Sequence, residues 1–236
     1  MTTTTRTNHP SHWTTQALWD YVAGLSKPSK MPGYGYSIPA ARCKIGAKLR
    51  KVAGSTCSAC YALKGRYVFP NVAECLERRY QTLDAPEWVD AMSELIRRKC
   101  VNGHPRCRVR RAVPYFRWHD AGDLQSVDHL ARIVLVCRKT PGVTHWLPTR
   151  EYQTVRDFIA AGGTFPPNLT VRLSAHMIGG HAPTFPDLQA HGVTVSTVDS
   201  TAADAFACLA PSQKGECRDC RACWNPAVSH VTYKKH

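Results

Sequence analysis

The chain has 236 residues, 43% of them hydrophobic, with 31 Lys+Arg against 17 Asp+Glu and a formal charge of +14. That composition excludes a disordered chain and predicts a packed core, while the charge favours anionic partners such as nucleic acid, nucleotides or phosphorylated metabolites. No stretch approaches the length of a membrane span and Met1 to His12 has no apolar signal core, so no membrane partner and a reducing cytoplasm are expected; there, 11 cysteines argue for metal rather than disulfides.

In chain order, residues 1–25 read as a flexible N-terminal tail and a short helix, capped by Thr14 or Thr15 and running to Leu25. Residues 26–42, rich in Pro, Gly and Ser, read as an ordered loop. A helix opens at Asn71 and runs to about Leu83. Asp84 and Glu87 have capping-box spacing ahead of a second helix, with Trp88, Val89, Met92, Leu95 and Ile96 on one face. Residues 100–112 form a basic loop bearing Arg106, Arg108, Arg110 and Arg111, which has the charge to contact phosphates.

Beyond it, strands (Val113–His119, Val143–Pro148, Leu169–Ser174, Val193–Val198) alternate with helices (Ser126–Arg138, Glu151–Ala161). Strand–helix alternation at this spacing predicts βαβ units and a parallel sheet, either open or closing into a partial β/α barrel over residues 26–207. Residues 208–236 lose the periodicity and form a Cys-rich C-terminal segment.

That segment holds Cys217-x2-Cys220-x2-Cys223, with Cys208 upstream. Two-residue gaps let three thiolates wrap one point, the spacing of ferredoxin-type [4Fe-4S] ligation. A ferredoxin run would continue with a cysteine at 227; Ala227 stands there, so Cys208 is the natural fourth ligand. Structural zinc is the competing metal, since Cys57-x2-Cys60 could supply a second pair. Buried free thiols are the plainest alternative.

Cys43, Cys57 and Cys60 form a second group. Three thiolates would leave one iron open for a substrate or for S-adenosylmethionine, although the C-x3-C-x2-C spacing used with that cosubstrate is absent. The three could also join the C-terminal set around one cluster. Cys75, Cys100, Cys107 and Cys137 read as core or loop thiols.

Polar groups end three successive strands: His119, Asp120 and Asp123, then Arg150, then Arg172. Binding groups in parallel α/β folds gather beyond the carboxyl ends of strands, so these five are candidate ligand-binding residues. Helix capping explains Asp123 equally well. No Walker loop, G-x-G-x-x-G, H-E-x-x-H or G-x-S-x-G occurs.

Several blocks resemble a family of phage proteins named after gene product eighty-eight: Lys30-Met31-Pro32-Gly33, Cys57-x2-Cys60-Tyr61-Ala62, His119-Asp120-Ala121-Gly122-Asp123, Leu147-Pro148-Thr149-Arg150-Glu151 and Cys217-x2-Cys220-x2-Cys223-Trp224. The resemblance implies a phage origin, hence the cytoplasm of a bacterial host. The Cys-Tyr-Ala and His-Asp-x-Gly-Asp blocks are also similar to phage proteins related to radical S-adenosylmethionine enzymes, which implies a TIM-barrel-like scaffold with a cluster at its mouth. Three functions are therefore expected: a redox or radical enzyme, a non-enzymatic cluster protein that senses redox state or binds nucleic acid, or a zinc-stabilised interaction protein.

Overall fold

The computed structural model describes residues 9–101 and 113–235. The start of the expected tail, the arginine run 106–111 and Cys107 lie outside them. Helix α1 (Thr15–Tyr21) is capped as expected, the Thr14 hydroxyl accepting from the Ala17 N–H at 3.1 Å. It stops short of Leu25 because Ala23 and Gly24 adopt left-handed backbone (φ 54° and 74°). Within the Pro/Gly-rich stretch expected to be a loop lies a strand, β1 (Tyr34–Tyr36). Gly35 suits it, since a Cβ there would stand 2.8 Å from the Arg117 carbonyl oxygen.

Helix α2 (Ile45–Leu49) and two 3-10 turns (Tyr61–Leu63, Gly65–Val68) follow, then α3 (Pro70–Thr82) and α4 (Trp88–Ile96). The expected Asp84/Glu87 capping box does not form; Glu87 occupies the cap position without a side-chain cap. Two backbone turns lead the chain into α4 instead, and the Glu87 N–H is satisfied by the Tyr21 hydroxyl at 3.2 Å. A π turn (Arg97–Val101) extends α4.

The alternating half runs β2 (Tyr115–Trp118), α5 (Val127–Lys139), β3 (Thr144–Thr149), α6 (Tyr152–Ala160), β4 (Leu169–Ile178), α7 (Pro186–Gln189) and β5 (Thr194–Val198). The segment without periodicity adds two further strands, β6 (Phe206–Ala207) and β7 (His230–Tyr233). All seven pair in parallel in the order β1-β2-β3-β4-β5-β7-β6. The sheet is not closed: β1 and β6 are its two edges.

Alternation along the strands divides the faces. Phe116, Trp118, Leu147, Val171, Leu173 and Val195 join the main core with residues of α1, α4, α5 and α6. Trp88, Trp118, Leu95 and Ile96 are fully buried there, and each such side chain contributes roughly 1.5–3 kcal/mol relative to exposure. The other face carries Tyr115, Arg117, Trp146, Thr170 and Arg172, and the C-terminal segment lies over it. Trp224 anchors that cover, its indole N–H donating to the Phe116 carbonyl at 3.0 Å and its ring edge-on to Tyr115 and Trp146. No helix among the described residues is long and apolar enough to cross a membrane.

Candidate functional site

Because every strand is parallel, all carboxyl ends lie along one edge, and the loops leaving that edge carry most of the cysteines. Cys208 directly follows β6. The loop 214–223 returns beneath it, held by the Cys217 N–H donating to the Lys30 carbonyl at 2.9 Å and the Cys208 N–H donating to the Thr232 carbonyl at 2.9 Å. Cys208, Cys217, Cys220 and Cys223 thereby line one pocket, whose remaining walls include Phe206, Leu209, Trp224 and Val231. The Cys223 sulfur lies 3.2 Å from the Tyr233 hydroxyl.

Burial pushes the Cys223 thiol up to about 11, and raises Cys208 and Cys217 as well. The guanidiniums of Arg172 and Arg117 act on Cys223, and those of Arg117 and Arg221 on Cys217, in the opposite sense. An apolar pocket with four thiols and three neighbouring cations suits an anionic, thiolate-bound group once its protons are displaced. Among the described residues no group of three or more His, Cys, Asp or Glu side chains is arranged to hold a single metal ion.

Cys43, Cys57 and Cys60 gather separately, beyond the carboxyl ends of β1, β2 and β3. A Cβ on Gly46 would touch both the Cys43 and Cys57 sulfurs, at 3.6 Å each, and would crowd the Cys43 Cβ at 3.0 Å, which places the two thiols on either side of this glycine. Burial, then Asp123 and the other two thiols, raises Cys43 to about 12. Two guanidiniums oppose this rise, Arg50 at Cys43 and Arg150 at Cys57.

The loops carrying this group are tied to the strand ends. Asp123, buried at the end of β2, accepts from Leu124 N–H (2.8 Å), the Thr149 hydroxyl (2.6 Å) and Arg150 N–H (2.9 Å), which joins β2 to the end of β3. Glu151 accepts from the Ile45 N–H at 2.8 Å, and the Arg150 side chain donates to Thr56 at 3.0 Å. The Tyr67 hydroxyl donates to the Asp120 carboxylate.

Of the strand-end residues singled out from sequence, Asp123 and Arg150 lie beside the N-terminal thiols, and Asp120 is tied to the turns that follow them by Tyr61 and Tyr67. Asp120 pairs with Arg117 at 2.8 Å, and Asp123 meets the Arg150 backbone. Arg172 faces away from this group. It is fully buried under the C-terminal segment and donates to the carbonyls of Val195, Val228 and Ala222 at 2.9, 3.0 and 3.3 Å. His119 turns toward the helices, with left-handed backbone (φ 53°) and its ring 5.3 Å from that of His129. Cys75 and Cys137 sit in helices, as read, and Cys100 is buried in the π turn.

The sequence reading passed over Arg117. It reaches Asp120 on one side and acts on Cys217 and Cys223 on the other, with its guanidinium 4.5 Å from the Trp146 ring centroid. Its alternation with Phe116 and Trp118 on β2 was the available signal: a cation on the face opposite two core aromatics.

The fold and site define a mixed α/β protein with an all-parallel sheet and two cysteine groups at its carboxyl edge. The family model described as Gene product 88 matches residues 4–226, and the chain belongs to that family. No curated protein and no solved structure matches it significantly.

Proposed function

We propose that the chain is an iron–sulfur protein with two separate thiolate sites along one edge of its sheet. One observation carries this reading: Cys208, Cys217, Cys220 and Cys223, spread over sixteen residues of sequence, line a single pocket. Four cysteines suit a closed [4Fe-4S] site. Cys43, Cys57 and Cys60 are the three-thiol set of a second, open site, where an exogenous ligand completes the coordination. S-adenosylmethionine is the candidate for that ligand, and Asp120, Asp123 and Arg150 are the polar groups beside it.

A bound cluster supplies one-electron chemistry. The chain's own residues exclude water from the C-terminal site through Trp224 and Val231, and Arg117 and Arg172 offset thiolate charge there. A barrel-like scaffold is part of the reading. Its support is the strand order, wound one way from β1 to β5, and the Cys217–Lys30 hydrogen bond that spans from the β6 side to the chain entering β1. Structural zinc is the second reading, favoured by the same four cysteines in one pocket.

Iron, zinc and sulfide analysis of anaerobically purified protein, repeated for Cys220→Ser and Cys57→Ser, tests both. The two-site reading expects each variant to lose one cluster and keep the other. Loss of both from either variant indicates a shared site, zinc without sulfide selects the second reading, and protein free of all three elements overturns both. Reductive cleavage of S-adenosylmethionine by the reduced protein separates an enzyme from a non-enzymatic redox sensor.

A further inference from the structure

We propose that the loops around the N-terminal cysteines form a binding surface for single-stranded nucleic acid, whatever metal the thiols hold. From Tyr21 to Ala73 the chain has no aspartate or glutamate, against nine lysines and arginines. This acid-free run supplies β1 and, after its carboxyl end, α2 and the 3-10 turns Tyr61–Leu63 and Gly65–Val68, which form the wall there. It is fixed over those ends: the Tyr61 hydroxyl donates to the Asp120 carbonyl, and Tyr67 to the Asp120 carboxylate.

Lys48, Lys51, Lys64 and Arg66 are exposed, and none lies within ion-pair distance of a described carboxylate. Cations balanced only by solvent ions release those ions on meeting phosphates, which drives association. Beside them, Phe69 is 54% and Tyr61 46% exposed. Two half-exposed rings flanking two unpaired cations, in the order Tyr61, Lys64, Arg66, Phe69, combine stacking platforms with phosphate contacts. A protein partner would instead favour an apolar centre depleted of lysine, whereas the exposed apolar groups here, Val52, Leu63 and Val68, are interspersed with Lys51, Lys64 and Arg66. A duplex is disfavoured because α2, the helix on this wall, has five residues and cannot fill a major groove.

The test is fluorescence anisotropy of the full chain with labelled oligodeoxythymidine and oligouridine of about 20 nucleotides, over rising salt. Binding is expected to weaken with salt. The double substitution Lys64→Glu/Arg66→Glu should weaken it by roughly tenfold and flatten the salt slope by about 0.7 per lost contact. Phe69→Ala should weaken binding with the slope unchanged. Arg138→Glu/Lys139→Glu, at the opposite end of the sheet and with the same change in charge, should leave it nearly intact. Circular dichroism and thermal midpoints of the variants verify folding. Absence of binding at about 50 mM salt overturns the proposal, as does equal weakening by the control pair. Tighter binding to an acidic polypeptide such as polyglutamate than to either oligonucleotide also overturns it, in favour of a protein partner.

Discussion

Arg117 and Asp120 form an ion pair of 2.8 Å at the carboxyl end of β2, and Tyr67 donates to the same carboxylate. Through Tyr67, and through Tyr61 on the Asp120 carbonyl, this strand end is joined to the turns that follow Cys57 and Cys60. Both side chains are largely shielded from water, with 15% and 23% of their surface exposed. Removing one partner therefore leaves an under-compensated charge. Asp120→Ala is expected to lower stability by about 1–3 kcal/mol and to loosen the 57–67 loops. Urea unfolding and proteolysis of this region are the measurements; an unchanged midpoint with unchanged cleavage would refute the role.

Arg172, on β4, clamps the C-terminal segment to the sheet through the carbonyls of Ala222 and Val228, and donates to Val195 of β5 as well. Substituting methionine keeps the apolar stem but leaves those buried acceptors unpaired, a loss of about 2–4 kcal/mol. Because the segment carries Cys217, Cys220 and Cys223, Arg172→Met should also speed alkylation of these thiols under native conditions. Arg172→Lys should rescue little, since one ammonium cannot reproduce the planar fork. Mass spectrometry of alkylated peptides distinguishes this from uniform destabilisation, in which Cys43 and Cys57 would gain reactivity equally.

Gly122, within His-Asp-Ala-Gly-Asp, has φ +80°, and a Cβ there would lie 2.3 Å from an Ile38 side-chain carbon and 2.7 Å from the Ile38 carbonyl oxygen. Both strain and overlap oppose any larger residue. Gly122→Ala should cost at least about 1–3 kcal/mol. It should also displace Asp123 from the Thr149 and Arg150 donors. A variant as stable as the parent would show that Ile38 yields without cost.

Among the described residues, burial disfavours the charged form of His119, His129 and His145. Burial lowers His129 and His145 to about 3, and burial, with His129 and Arg117 nearby, holds His119 well below its ordinary range. The unfolded chain takes up these protons near pH 6.5, whereas the folded chain does not. Their contribution to stability is therefore complete above about pH 6.5 and is lost as pH falls toward 3, by up to about 1.4 kcal/mol per pH unit for each histidine. Unfolding midpoints between pH 7 and pH 4 should fall steeply, and His145→Asn should make that dependence shallower. A flat profile over this range would contradict the assignment.

Strong periodicity made the alternating half of the fold readable from its residues. Apolar side chains at helical spacing in α4, α5 and α6, and runs such as Thr144–Thr149, report burial wherever they stand. The three strands β1, β6 and β7 were invisible because they are short, or rich in glycine and polar residues, and exist only through partners distant in sequence. Spacing likewise marked Cys217, Cys220 and Cys223 as a set and offered Cys208 as a fourth member, because local loop geometry brings near neighbours together.

Residue order alone could establish the chemistry available: eleven thiols, a surplus of cations and acids at strand ends. Tertiary structure decided how those groups are shared out. Parallel pairing set every carboxyl end along one edge and divided seven cysteines into four and three. It also turned Arg172 and His119 away from the N-terminal group while drawing Arg117 between the two. Such outcomes depend on contacts between segments 50 to 108 residues apart, and no local pattern encodes them.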